Sequence, residues 1–293
     1  PSTFRGIEIV EIGPVRATLR IRHDYLKPGV IKEAPTQTYP SSFFVQDVSL
    51  YSGIDQIFFT SEIDWWEEKT MLKVAFPLTV QARRATYEIP NGAIERSTEW
   101  KDRWDSAKVE VPALRWADLS DESYGVSLLN RSKYGYDIKN NIIRLSLLRS
   151  PKWPDPTADR GKHKIDYSLY PHNNDWKSAG TVNRGYEYNN PLITVITDSH
   201  KGKLAQEYSF ADLKPENLIL TTIKKAENDN AIIYQWYDAE GIESMANLKL
   251  YGSPGKVFLS NMLEEDGKQL ELKGNIVTIP TKKYSTVTVK VYY

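Results

Sequence analysis

Ile142-Ile143-Arg144-Leu145-Ser146-Leu147-Leu148 and, after a proline-rich stretch, Ile165-Asp166-Tyr167-Ser168-Leu169 decide the fold class. Ile143, Leu145 and Leu147 fall on one side of an extended chain, and Arg144, Ser146 and Leu148 fall on the other. Side chains alternate with period two only in a strand. Ile165, Tyr167 and Leu169 repeat the pattern, as do Val287, Val289 and Val291 near the end. Working outward, Arg16–Ile21, Phe43–Tyr51 and Ile54–Phe59 alternate or run apolar. Turn dipeptides punctuate these runs: Ser52-Gly53, Pro90-Asn91-Gly92, Asn140-Asn141 and Asp266-Gly267. No long stretch has helical periodicity; Ala117–Ser123 reads as one short helical turn capped by Asp118 or Ser120. Many short strands joined by polar turns predict an all-β sandwich or barrel.

Composition narrows the function classes. The 293 residues carry 38 basic and 38 acidic side chains, a balance that gives no reason to expect a nucleic-acid partner. There is no cysteine, so no disulfide and no thiolate metal site, which suits a cytoplasmic location. No apolar run approaches the roughly 20 residues that span a bilayer, so no membrane partner is expected. The first residue is Pro1 rather than Met, which reads as part of a longer polypeptide. The content of 18 Tyr, 8 Trp and 8 Phe suits strand packing and equally suits stacking on sugar rings. A domain break is expected between Tyr188 and Gln206, with Ile193–Ile196 continuing as a strand. The boundary drawn is residues 1–205 for a large domain and 206–293 for a small immunoglobulin-like sandwich.

Ser150–His163 is the most unusual local stretch. Pro151, Pro154 and Pro156 stiffen it, Trp153 adds an aromatic ring, and Asp159-Arg160-Gly161 closes it. A stiff loop between two strands suits a binding side chain, and an arginine offers a planar fork of donors to hydroxyls or a carboxylate. The competing reading is an Asp159–Arg160 network serving the fold alone. Ile63-Asp64-Trp65-Trp66-Glu67-Glu68 places carboxylates beside tryptophans. Asp64 and Glu67 fall on opposite faces of a strand, however, whereas retaining glycoside chemistry needs two carboxyls roughly 5 Å apart across one bond. His23, His163, His172 and His200 form no pair at ligand spacing, although His163 and His172 are candidates to meet across a strand. No metal site is therefore expected in this chain. Tyr136 and Asp137 are further candidates to face a ligand. No phosphate-cradling glycine loop and no nucleophile elbow is present.

Several motifs occur together in order: D-W-W-E (Asp64–Glu67), L-K-V-A-F-P (Leu72–Pro77), Y-E-I-P-N-G-A-I-E-R (Tyr87–Arg96) and W-A-D-L-S (Trp116–Ser120). They are followed by Y-G-Y-D-I (Tyr134–Ile138), the whole Ser150–His163 loop and Y-S-L-Y-P-H (Tyr167–His172). This resembles the C-terminal half of the α-mannosidases of glycoside hydrolase family 38, nearest the cytosolic and vacuolar types. The resemblance implies a large antiparallel super-sandwich like galactose mutarotase, followed by smaller β-domains. It implies a retaining, zinc-dependent parent enzyme acting on an α-mannoside or oligosaccharide. In that family the zinc ligands and the nucleophilic aspartate belong to an N-terminal catalytic domain, so no catalytic residue and no zinc ligand is assigned to this chain. The chain would support that domain and lend Arg160 to the sugar pocket, with Asp159, Trp153 and Tyr136 beside it. Self-association to a homo-oligomer is left open. Two rival readings stand beside this one: a free-standing carbohydrate-binding module without catalysis, and an epimerase of the mutarotase type.

Overall fold

The computed structural model describes residues 2–25, 42–99, 101–203 and 205–293. The chain divides into two compact units. One takes in the residues up to Glu88 and Ile94–Pro191, the other Ile89–Ala93 and Leu192–Tyr293. Among the described residues no helix is long and apolar enough to cross a membrane.

The first unit contains β1 (Ser2–Ile12), β2 (Arg16–Tyr25), β3 (Phe43–Tyr51), β4 (Ile57–Trp65), β5 (Leu72–Pro77), β6 (Arg84–Ile89), β7 (Gly92–Ser97) and the short helix α1 (Arg103–Ala107). Then come β8 (Val111–Pro112), β9 (Trp116–Ser120), β10 (Tyr124–Asn130), β11 (Gly135–Lys139), β12 (Ile142–Leu148), β13 (Gly161–Asn173) and α2 (Thr181–Asn189). Nine strands form one antiparallel sheet in the order β1-β2-β3-β4-β13-β10-β9-β6-β7, and β5-β12-β11-β8 form a second. The alternation read from the sequence aims one face of each sheet at the other. Ile143 and Leu145 of β12 are fully enclosed, as are Leu119 and Leu128 of β9 and β10, and Tyr167 of β13. Phe59 stacks on Tyr167 at 5.1 Å and meets Phe76 of the opposite sheet at 5.3 Å. Burying such side chains, at about 25 cal/mol per Å² of apolar area, is what joins the sheets. The tight turn between β11 and β12 uses Asn140 and Asn141 at φ 50° and 56°, the left-handed pair a two-residue hairpin requires.

Ala117–Ser123 is not the helical turn that its residues suggested. Trp116–Ser120 is a strand, paired with β10 and β6. It lies inside the sheet with Trp116, Ala117, Asp118 and Leu119 all buried, so both faces are covered and the alternation disappears. Asp118 caps nothing there. It accepts hydrogen bonds from Ser120 Oγ (2.5 Å), Ser127 Oγ (2.7 Å) and His172 Nε2 (2.8 Å). Ser127 Oγ lies 2.8 Å from the hydroxyl of Thr181, the first residue of α2. One buried carboxylate thus ties together β9, β10, β13 and a helix. That helix, absent from the sequence reading, buries Thr181, Val182, Gly185 and Tyr188. Gly185 permits its close approach, since a Cβ there would stand 2.9 Å from Trp116 Cδ1.

His163 and His172 do not meet: both lie on β13, nine residues apart, or about 30 Å along a strand. Ile193–Ile196 forms no strand; Ile193 and Ile196 are 91% and 97% exposed. At the outer edge of the large sheet, β1 exposes Phe4, Ile7, Ile9 and Ile12, while Arg5, Glu8 and Glu11 pair with Asp24, Arg22 and Arg16 of β2. Its ladder with β2 is interrupted by register shifts between Phe4 and Gly6 and between Ile9 and Glu11.

The second unit is a smaller sandwich. It comprises β14 (Ala211–Lys214), β15 (Leu218–Lys225), β16 (Ile232–Asp238), β17 (Ser244–Leu250), β18 (Lys256–Ser260), β19 (Asp266–Leu270), β20 (Leu272–Lys273), β21 (Ile276–Thr281) and β22 (Thr286–Tyr292). The sheets run β14-β17-β21-β20 and β15-β16-β22-β18-β19. Trp236, Leu248, Val257, Val277, Val289 and Val291 fill its core, and Trp236 Nε1 donates to Thr281 Oγ1 at 3.0 Å. Asp266-Gly267 begins a strand instead of forming a turn. The turn lies just before it, where Asn261 Oδ1 accepts from the backbone of Leu263 and Glu265. The molecule is therefore all-β, a large sandwich followed by a small one.

Removing the buried carboxylate should be costly. Asp118→Ala leaves His172, Ser120 and Ser127 without their acceptor and should lower unfolding free energy by about 3 kcal/mol, a large part of a domain's stability. Burial alone would lower the His172 pKa, but the hydrogen bond to Asp118 outweighs it and raises the value above 6.5. The pair's stabilisation is therefore full below pH 6.5 and fades as pH rises through the elevated folded value. Urea unfolding at several pH values should show a midpoint falling above pH 6.5 in the parent chain and no such slope in Asp118→Ala; equal slopes in both would refute the assignment.

Candidate functional site

The proline-rich stretch joins β12 to β13, and a set of hydrogen bonds pins it at its base. Asp159 sits at φ 64° and Ser150 at φ 52°, both left-handed. The backbone N–H groups of Arg149 and Ser150 donate to Asp159 Oδ2 at 2.9 and 2.8 Å, closing the loop across its base. Ser150 Oγ accepts from the indole of buried Trp65 at 2.6 Å, and Ser150 O accepts from Lys69 N at 2.8 Å. Within the loop, Thr157 donates twice to Asp155 Oδ1, and Arg160 N donates to Thr157 O at 3.1 Å. Gly161, at φ 109°, lets the chain turn out of the loop straight into pairing with Trp65. Burial would push the Asp159 carboxyl up, but the two backbone donors outweigh that and hold it below its ordinary value.

Arg160 follows Asp159, and its side chain is one-third exposed. Its guanidinium pairs with Glu68, which also holds Lys152 Nζ at 2.5 Å. Hydrogen bonding from Lys152, ahead of the charge of Arg160, keeps the Glu68 carboxyl below its usual range. Among the described residues the Arg160 side chain donates to Glu68 alone, so donors of its five-N–H fork remain for a ligand. Trp153 is 86% exposed at the outside of the loop.

Tyr136 stands elsewhere. It is fully enclosed in the large core, where Asn130 Nδ2 donates to its hydroxyl and the hydroxyl reaches Leu128 O at 3.4 Å. It packs, and it presents no atom to a ligand. The carboxylates of the Asp64–Glu68 run are engaged too: Asp64 accepts from Trp66 Nε1, Glu67 from Ser42 Oγ, and Glu68 from the loop. Arg160, Asp159 and Trp153 share this loop, Arg160 and Asp159 as neighbours at its end and Trp153 exposed nearer its start. Glu68 and Lys152, which the sequence reading did not assign to the site, complete it. Glu68 lies 92 residues from Arg160, so only the pairing of β4 with β13 brings them together.

Comparison with known proteins shows the family. The model described as "Glycosyl hydrolases family 38 C-terminal domain" matches residues 2–157, more than half of the chain. The chain belongs to glycosyl hydrolase family 38. A second family model, "Glycosyl hydrolases family 38 C-terminal beta sandwich domain", matches residues 217–291, within the small sandwich. The chain is 36% identical over 231 residues to alpha-mannosidase 2C1 of Homo sapiens, covering 78% of this chain and 22% of that one. It is 35% identical over 235 residues to alpha-mannosidase G of Dictyostelium discoideum, covering 80% and 21%. It thus spans about a fifth of the length of these relatives. The crystal structure of an alpha-mannosidase from Enterococcus faecalis shares the fold with a TM-score of 0.82 at 18% identity, over 99% of this chain and 35% of that one. The first match ends at Thr157, inside the loop and just short of Arg160.

Asp159→Ala should uncouple the two ends of the loop, costing about 1–3 kcal/mol for the stranded backbone donors, and Asp159→Asn should cost less because an acceptor and left-handed tolerance remain. Amide exchange at Arg149 and Ser150 reads this directly; protection unchanged in the alanine variant would refute the staple. A depressed carboxyl stabilises above its unfolded value of 3.8, so the same protection should persist in the parent chain down to about that pH and be lost below it.

Proposed function

We propose that the chain is the supporting β-region of an α-mannosidase that hydrolyses terminal α-mannosides with retention, and that its Ser150–His163 loop serves the sugar pocket. The carrying observation is Arg160: a partly exposed guanidinium on a pinned loop, anchored by Glu68 and holding donors in reserve. Membership of the family supports the substrate class. Arg160 offers a forked pair of donors to adjacent sugar hydroxyls, Asp159 fixes the backbone beside it, and exposed Trp153 offers an apolar face to a sugar ring. Tyr136 acts only as packing behind Asn130.

Retaining hydrolysis needs a nucleophilic carboxylate and an acid–base carboxylate flanking the bond. Asp64, Glu67 and Glu68 are committed to Trp66, Ser42 and the loop, so neither role is assigned to them. Among the described residues no three His, Asp or Glu side chains converge so as to hold a metal. Zinc, if the parent uses it, is therefore not fitted to these residues, and no step here runs through it. The work left to this chain is orientation of the sugar and support of the domain that carries out the chemistry.

In the full-length parent, Arg160→Ala should lower kcat/KM for a chromogenic α-mannoside by about 10- to 100-fold, the loss of one or two charge-assisted hydrogen bonds. Arg160→Lys should recover only part, since a point charge does not reproduce the fork. Unchanged kcat/KM in Arg160→Ala would remove the loop from the pocket. The chain on its own should release no mannose; activity there would mean that these residues hold a complete site. The exposure of Trp153 also favours a second reading, a carbohydrate-binding module. Saturable mannoside binding by this chain, abolished in Trp153→Ala and without effect on the parent's turnover, would favour that reading instead.

A further inference from the structure

Among the described residues β1 pairs with β2 alone, so the far edge of this strand carries backbone donors and acceptors that no described strand meets. Phe4, Ile7, Ile9 and Ile12 stand 57–77% exposed along it. The ladder with β2 shows how they are spaced. Glu8 lies opposite Arg20, Phe4 opposite His23 and Ile12 opposite Ala17. Each half of the strand, from Glu8 to Phe4 and from Glu8 to Ile12, holds one extra residue at a register shift. Both halves therefore cover the same length of ladder with the same number of residues. Alternation along the ladder puts Phe4, Ile7, Ile9 and Ile12 on one face, with Glu8 and Glu11 on the other.

A strand arranged in this way is complementary to itself. Turned antiparallel about a twofold axis at Glu8, a second copy sets its Ile12 opposite Phe4 and its Ile9 opposite Ile7, and both contacts repeat on the other side of the axis. Arg5 then lies against the partner's Glu11, a pair of opposite charge. A slip of one residue would set Ile7 opposite Glu8, or Glu8 opposite Ile9, and lose both matches. A bulge usually bars strand addition, because a regular partner cannot follow it. A partner carrying the same two shifts can.

We infer that the chain forms a twofold dimer in which β1 pairs antiparallel with the β1 of a second copy about an axis at Glu8, joining two nine-stranded sheets into one. Each copy uses its single β1 edge, so the assembly closes at two. The one unfavourable contact is Glu8 against the partner's Glu8, offset within each copy by Arg22 at 3.0 Å. The inference does not rest on the role proposed for the Ser150–His163 loop.

Sedimentation equilibrium of the 293-residue chain tests it. A reversible monomer–dimer equilibrium is expected, with a dissociation constant on the order of 1–100 µM for so small an interface. Ile7→Lys and Ile9→Lys should each raise that constant by about tenfold or more while the thermal midpoint holds, since both side chains are exposed within one copy. Met262→Lys, at a 74% exposed position of the small sandwich, should leave it unchanged. Glu8→Gln should tighten the dimer by about two- to fivefold in dilute buffer, and added salt should remove the difference. The chain has no cysteine, so Glu8→Cys supplies one thiol per copy. Opposed residues of an antiparallel pair bring their Cβ atoms to about 4.5–5.5 Å, near what a disulfide spans, and mild oxidation should link Glu8→Cys copies much faster than Met262→Cys copies. The two Glu8 variants keep the test open if a lysine variant fails to fold. Four results overturn the inference: monomer at every concentration, a dimer indifferent to Ile7→Lys and Ile9→Lys, cross-linking of Glu8→Cys no faster than of Met262→Cys, or a monomeric full-length parent whose β1 amides resist exchange. The last would give the edge to another part of the parent polypeptide.

Discussion

A carboxylate held dry within a nine-stranded sheet is the constraint on which the rest of the large domain depends. Taking Asp118 out of water costs several kcal/mol unless every lone pair it exposes is met. Ser120, Ser127 and His172 meet them from three strands, and Thr181 extends the knot to a helix. Such a group is compatible with one register only. Sliding β9 or β13 by a single residue would turn these side chains to the other face and strand the charge. The apolar core supplies most of the free energy, but aliphatic contacts tolerate small shifts and this knot does not. It fixes β13, and β13 fixes the loop that precedes it.

The loop inherits that rigidity. Gly161 enters β13 in register with Trp65, and the Trp65 indole reaches Ser150 at the other end of the loop. Asp159 then sews Arg149 and Ser150 to the strand entrance. The outcome is a surface arginine whose backbone is held by core geometry while its side chain stays partly solvated. Binding sites need that combination, because ordering a free loop at the moment of binding would consume much of what one guanidinium contributes. A third member of the cluster, Glu68, both orients the arginine and leaves part of its fork unused.

Strand existence was legible wherever one face of a strand meets water. Ile143, Leu145 and Leu147 alternate because Arg144 and Ser146 look outward. Trp116–Leu119 is covered on both faces, so its pattern carries no period and its Ala-Asp-Leu composition misleads. Thr181–Asn189 escaped notice for the opposite reason. Its glycine and aromatics are poor helix formers, and contact with Trp116 overrides them. For the site, the prolines and Asp159-Arg160-Gly161 could be read locally. The partnership with Glu68 could not, since it depends on strand pairing across 92 positions. Tyr136 shows the same limit: an aromatic beside a turn looks alike in sequence whether it faces a sugar or, as here, a closed core.

The edge strand β1 has a meaning for the handling of the chain as a material. It offers unpaired backbone groups and a row of apolar side chains at one open edge of the nine-stranded sheet, where another strand can add. What opposes such growth is its two register shifts and the ion pairs of Arg5, Glu8 and Glu11 with β2. Those pairs are solvent-exposed, so salt weakens them while it leaves apolar attraction intact or strengthens it. Colloidal behaviour at this edge therefore turns on ionic strength: dilute buffer keeps the charged gatekeepers effective, and salting the solution removes the guard from an apolar edge strand.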